Sequence, residues 1–319
     1  MRVIRKNKKT IKTGVLSLFL LFYSSQGLSQ SPPVSSEPSN IITKSLLLDI
    51  EHIGSGLIAV GDRGHVVRSN DCGQSWKQII VPTRATLNAV FFVNKKTGWI
   101  AGHDSVILKT TDSGKTWKEV YKDIKAEQPL FDVLFVTENK GFAIGAYGSF
   151  LKTENGGKTW EASTIYGEDD FHLYRISRSA DGELLVTGEA GAIYLSTNNG
   201  DSWDKIKSPY EGTFFGNQFL AENKILIYGM RGHVYESDDL GQNWKQRTIP
   251  VNTSLESSIT TEQGITFLVG ASGAVLKSPD NAKTFKKIQQ SNKSHRVAIT
   301  QCGEKILTVG EKGILQVNE

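Results

Sequence analysis

An acidic or amide side chain recurs six times along the 319-residue chain, each time with an aromatic residue five positions after it. The pairs are Asp71 and Trp76, Asp112 and Trp117, Asn155 and Trp160, Asn198 and Trp203, Asp239 and Trp244, and Asp280 and Phe285. Repeated carboxylates invite a calcium reading. A hard dication takes roughly six to eight oxygens, whereas each of these turns offers one carboxylate, replaced by an amide in two copies. An Asp or Asn that accepts hydrogen bonds from its own turn amides needs no ligand. The six positions therefore read as structural, and neither a metal nor a cofactor is expected. The histidines (His52, His65, His103, His172, His233 and His295) are scattered, without His-x-x-x-His spacing. Neither a Gly-x-Ser-x-Gly elbow nor a phosphate loop is present.

These residues stand at regular places in a repeat. Gly-x-x-Gly turns begin at Gly61, Gly102 (with Ser105 in the last place), Gly145, Gly188, Gly229, Gly270 and Gly310, at spacings of 41, 43, 43, 41, 41 and 40 residues. That period is the size of one four-stranded propeller blade. Short β-branched and aromatic runs fill the intervals, and long helical patterning is absent. The fold class is all-β: a seven-bladed β-propeller of four-stranded antiparallel blades over 41–319. In the second blade the strands fall near Leu87–Val93, Gly98–Ala101, Val106–Lys109 and Thr116–Val120. Glycine turns then join strands two and three, and the aspartate motifs join three and four at the opposite end.

The motif Ser/Thr-x-Asp/Asn-x-Gly-x-Thr/Ser-Trp resembles the Asp-box, or bacterial neuraminidase repeat. That resemblance implies sialidase chemistry as one reading: three arginines on the substrate carboxylate, a tyrosine–glutamate nucleophile pair and an acid/base aspartate. Arg63, Arg68, Arg84, Arg175, Arg178, Arg231, Arg247 and Arg296 are available, but the Arg-Ile-Pro such enzymes carry near the amino terminus is missing. A glycosidase places two carboxylates about 5–10 Å apart. Glu189 and Glu311 occupy equivalent turns of different blades, with nothing in the sequence to make them converge. An enzyme is not expected; a carbohydrate-active or carbohydrate-binding propeller is the alternative.

Residues 1–29 read as a signal peptide. Arg2, Arg5, Lys6, Lys8, Lys9 and Lys12 precede the apolar run Val15 to Phe22, followed by small residues at Gly27 and Ser29. The run is shorter than the roughly 20 residues of a membrane span, so an exported, periplasmic or extracellular chain without a span after cleavage is expected. The whole chain has 37 Lys and Arg against 33 Asp and Glu; without the six leader bases the balance is 31 against 33. A nucleic-acid-binding face is therefore not indicated. Cys72 and Cys302 permit one disulfide or two free thiols. Residues 30–40, Pro/Ser-rich, read as a flexible tether. The seventh repeat lacks a box before Glu319, and an open sheet edge is a hazard. Ile41-Ile42-Thr43 is thus expected to supply the missing outer strand and close the ring.

The residues inside the glycine turns vary from blade to blade. Arg63, His103, Tyr147, Glu189, Arg231 and Lys312 are the candidate partner-binding residues there, and Arg84, Arg175 and Arg296 on inter-blade segments are candidates to extend an arginine patch. Arg and Tyr are common interface anchors. The tandem unit, as in residues 98–117 (GWIAGHDSVILKTTDSGKTW), resembles that of the photosystem II stability/assembly factor family. The resemblance runs over about 45–318. It implies an exported or lumenal, non-catalytic propeller that binds a protein subunit of a membrane complex through an arginine-bearing face; a monomer is expected.

Overall fold

The computed structural model describes residues 34–318, Ser55 and Glu222 excepted. The expected leader and the start of the tether lie outside the described residues. Seven antiparallel sheets follow one another along the chain, and their innermost strands are Leu47–Ile53, Leu87–Phe92, Leu130–Phe135, Leu173–Arg178, Phe214–Ala221, Leu255–Thr260 and Arg296–Cys302. Each inner strand packs on the next, and the last packs on the first, so the sheets close a ring. Among the described residues, six sheets have four strands and the seventh has three. No described helix is long and apolar enough to cross a membrane.

The core is a set of apolar seams between neighbouring blades. The first and second blades, for example, meet through Ile58, Val60, Leu87, Ile100 and Trp117, all buried. Second strands such as Gly56–Gly61 are buried along their whole length, because both faces of each sheet meet a neighbour.

The glycine turns are alike because their backbone is. The second variable residue is left-handed in six of them: Arg63, Asp104, Tyr147, Ala190, Arg231 and Ser272. The residue after it is left-handed too, usually glycine. A Cβ at Gly64, where φ is +69°, would stand 2.2 Å from the Thr83 carbonyl oxygen. Ser105 occupies that place in the second blade, and its hydroxyl donates to the Gln128 carbonyl at 2.7 Å.

Ring closure differs from the expectation. Ile41-Ile42-Thr43 forms no strand; Ile42–Lys44 is a single 3-10 turn packed on the last strand, Gly313–Gln316. Link length gives the reason. Elsewhere the chain spends eight or nine residues passing from an outer strand to the next inner one. The four Cα–Cα steps from Thr43 to Leu47 span at most about 14 Å when fully extended, all of it consumed by the roughly 14 Å across three strand spacings, with nothing left for the turn between blades. The ends are joined instead by a seam of Ile42, Leu47, Leu57 and Ala59 against Ala298, Leu307 and Val309. Within it Cys72 and Cys302 form a disulfide, 230 residues apart in sequence with Cα atoms 5.4 Å apart.

The described part of the proposed tether, 34–40, has no regular secondary structure and lies along the first blade. The Ser36 amide donates to the Val81 carbonyl at 2.9 Å, the Val81 amide donates to the Ser36 hydroxyl at 3.0 Å, and Gln78 Nε2 donates to the Glu37 carbonyl at 2.7 Å.

Candidate functional site on the glycine-turn face

The two faces of the ring differ in how their polar groups are used. On the Asp-box face the Asp and Asn side chains are occupied by their own turns. Asp112 Oδ1 accepts the Thr110 hydroxyl at 2.8 Å and the amides of Lys115 and Thr116 at 3.0 and 2.9 Å, while Oδ2 accepts the Thr116 hydroxyl at 2.6 Å. Trp117 Nε1 donates to the Gly114 carbonyl at 3.2 Å. Asn155 and Asn198 keep this geometry with one bond reversed: each Nδ2 donates to the hydroxyl of Thr159 or Ser202 at 2.8 Å. Bonds from Ser75, its hydroxyl first, hold the Asp71 carboxyl at about 2. Asp239 is bonded in the same way to Ser237 and Asn243. Asp280 accepts from Ser278 and Thr284. Trp160, Trp203 and Phe285 are buried, and Trp76 and Trp244 partly so. Among the described residues no group of three His, Cys, Asp or Glu could hold a metal ion.

The opposite face carries the sequence-predicted residues, and the fold brings some of them together. Arg63 and Arg84 share a cavity of about 610 Å³ with Glu37, Ile41, Asp62 and His65. The Arg63 side chain is 81% exposed and lies 3.5 Å from Asp62. Arg84 pairs with Glu37 at 2.6 Å and donates from Nε to the Ser35 carbonyl at 3.0 Å. Arg84 also lines a second cavity of about 500 Å³ with Val34, Asp104 and Lys122, so the N-terminal segment runs between two openings.

Tyr147 is 62% exposed. Its amide donates to His172 Nδ1 at 2.9 Å, and the two rings meet at 4.7 Å. Glu189 accepts the His172 amide at 3.4 Å, and Glu311 likewise accepts the His295 amide at 3.3 Å. Both carboxylates thus hold inter-blade loops. His103, Arg231 and Lys312 are exposed on turns of other blades, and no described contact joins them to Arg63 and Arg84.

Arg175 and Arg296 do not extend a surface patch. Arg175 points into the mouth of the central channel, 3.6 Å from Asp132. Arg296 is 2% exposed, because the first residue of every inner strand points into an inter-blade seam.

Sequence reasoning missed the channel mouth itself. All seven blades line a cavity of about 190 Å³ there, including Asp49, Phe131, Tyr174, Arg175, Phe215 and Glu256. Phe131 stacks on Tyr174 at 5.4 Å, and Tyr174 meets Phe215 edge-on at 5.2 Å. With Tyr147 and His172 these rings make a continuous aromatic run from rim to channel. The signal was available: Phe131, Tyr174 and Phe215 are each the second residue of an inner strand in three successive repeats.

Asp49 and Asp132 clamp adjacent inner strands, accepting the amides of Val90 at 2.8 Å and Ile176 at 2.9 Å. Burial raises Asp132 to about 6 against the pull of Arg175. Burial, with repulsion from Asp49, raises Glu51 to about 8.

Comparison with known proteins agrees with this architecture. A solved structure of YCF48 bound to a D1 peptide superposes with a TM-score of 0.72 at 21% identity, covering 92% of this chain and 99% of that one. The chloroplastic photosystem II stability/assembly factor HCF136 of Cyanidioschyzon merolae is 32% identical over 79 residues, 24% of this chain and 17% of its own. The photosystem II assembly lipoprotein Ycf48 of Prochlorococcus marinus is 34% identical over 91 residues, 28% of this chain and 25% of its own. Both alignments thus span a quarter or less of those relatives. The sequence profile of the photosynthesis system II assembly factor YCF48 family matches residues 34–125 and 121–249, most of the repeat array, and the chain belongs to that family.

Proposed function

We propose that this propeller is an exported, non-catalytic assembly or stability factor that grips a polypeptide segment of a membrane-associated complex with its glycine-turn face. The carrying observation is the aromatic run from exposed Tyr147 to the channel mouth, on the face that also carries the Arg63 and Arg84 cavity. Aromatic and arginine side chains are the residue types that dominate protein interfaces. Family membership supports the reading, since YCF48 in the solved relative is bound to a D1 peptide. Export is supported by the order of basic, apolar and small residues in 1–29 and by the Cys72–Cys302 disulfide, which persists in oxidising compartments.

The test is co-purification of the native protein from its own membranes. A subunit of a membrane complex should be retained, and Arg63→Glu combined with Tyr147→Ala should release it while the unfolding midpoint stays unchanged. Full retention by the double variant would place binding elsewhere.

A further inference from the structure

Six of the seven inner strands begin with a buried apolar residue: Leu47, Leu87, Leu130, Leu173, Phe214 and Leu255. Each joins the seam with the preceding blade; Leu87 packs with Ile58 and Val60, and Leu255 with Leu226 and Tyr228. The seventh inner strand begins with Arg296, which is just as buried. By the same geometry its side chain enters the seam between the sixth and seventh blades.

A guanidinium has five N–H donors. Arg296 Nη1 donates to the Thr308 hydroxyl of the neighbouring strand, and Nε is buried without a partner. Two other arginines held within the ring have acids: Arg175 has Asp132, and Arg247 donates to Glu236 at 3.0 and 2.7 Å. For Arg296 no described carboxylate plays this part, and burial alone acts on the group, pushing it below its ordinary range. A second orphan lies two residues upstream. The Ser294 hydroxyl is buried and unpartnered, at the place where the loop into the second blade has Ala85 packed on apolar side chains. A buried, uncompensated charge is among the costliest features a fold can carry, and buried hydroxyls are ordinarily satisfied.

We propose that the seam between the sixth and seventh blades binds a small inorganic anion, held by the Arg296 guanidinium with the Ser294 hydroxyl as second donor. An anion there supplies the missing countercharge and accepts from Nε. The site is separate from the glycine-turn face and does not rest on the partner-binding reading.

The experiment is thermal unfolding of the wild type and of Arg296→Leu, which restores the residue of five other blades. The salts are sodium chloride, sodium phosphate and sodium gluconate at matched ionic strength, gluconate being the bulkiest anion of the three. The wild-type midpoint should rise by about 5 °C, saturably, in chloride or phosphate relative to gluconate. Whichever salt acts identifies a halide or an oxyanion. Arg296→Leu should show no such dependence and melt above the wild type in gluconate. Equal wild-type midpoints in all three salts, or the same shift in the variant, overturn the proposal. If Arg296→Leu does not fold, wild-type crystals soaked in bromide and, separately, in selenate decide: an anomalous peak within hydrogen-bond distance of Arg296 Nε in either soak supports the site, and its absence from both rejects it.

Discussion

Glu51 follows Asp49 on one face of the first inner strand, and its carboxyl is raised to about 8 by burial and by the Asp49 charge. The sign of the pH dependence follows. The unfolded chain releases this proton near 4.5 and the folded chain holds it until about 8, so stability falls as pH rises through that window. Glu51→Gln should therefore raise the unfolding midpoint by a few degrees at pH 8 and leave it unchanged at pH 4, as thermal melts at the two values will read. The Asp-box carboxylates behave oppositely. Their depressed values mean that stability is present above the ordinary carboxylate range and lost as pH falls toward 2. Because Asn155 and Asn198 reproduce the Asp112 geometry, Asp112→Asn should barely move the midpoint. Asp112→Ala, which leaves the Lys115 and Thr116 amides without their acceptor, should lower it by a few degrees.

At the level of the element, the glycine turn is legible because its last position is left-handed and leaves no room for a Cβ in most blades. Gly64 combines a left-handed φ with a carbonyl where a Cβ would go, whereas Gly303 has a left-handed φ and open space around it. Gly64→Ala should cost more than about 2 kcal/mol and Gly303→Ala about 1 kcal/mol, measured by denaturant unfolding. The boxes are legible because each Asp or Asn finds its partners within eight residues of chain, as Asp71 does with Ser69 and Ser75. Sheet-edge logic alone puts a closing strand at Ile41-Ile42-Thr43, and the length of the link forbids it. Six other outer-to-inner passages use eight or nine residues, and Thr43 to Leu47 leaves three between. Arginine composition suggests a surface place for Arg296, but its register position, first in an inner strand, is the one that leucine fills in five other blades.

At the level of the whole molecule, a ring is as stable as its weakest seam, and the seam between first and last blades has no shared strand among the described residues. The Cys72–Cys302 disulfide spans it. A cross-link over so long a loop restricts the unfolded chain strongly, an effect of about 2–4 kcal/mol. Cys72→Ser with Cys302→Ala should lower the denaturant midpoint accordingly, and reductant should do the same to the wild type while leaving the double variant unaffected. An unchanged midpoint would assign closure to the apolar seam alone. The same ring places Tyr147, His172, Phe131, Tyr174 and Phe215, drawn from three blades, in one continuous surface.

The amino-acid sequence by itself determined the wedge: its period, its glycine turns, its self-capped aspartate motifs and the family those resemble. The turns and boxes are each settled by backbone and side-chain needs within a dozen residues, and their recurrence displays the period, so local chemistry suffices. Only the tertiary structure decided what the wedges do to one another: that Cys72 meets Cys302, that Ile42 closes the ring as a turn, that Arg84 is held by Glu37, and that Arg296 is enclosed. Those outcomes depend on distances between segments tens to hundreds of residues apart, and such distances exist only once the circle is complete.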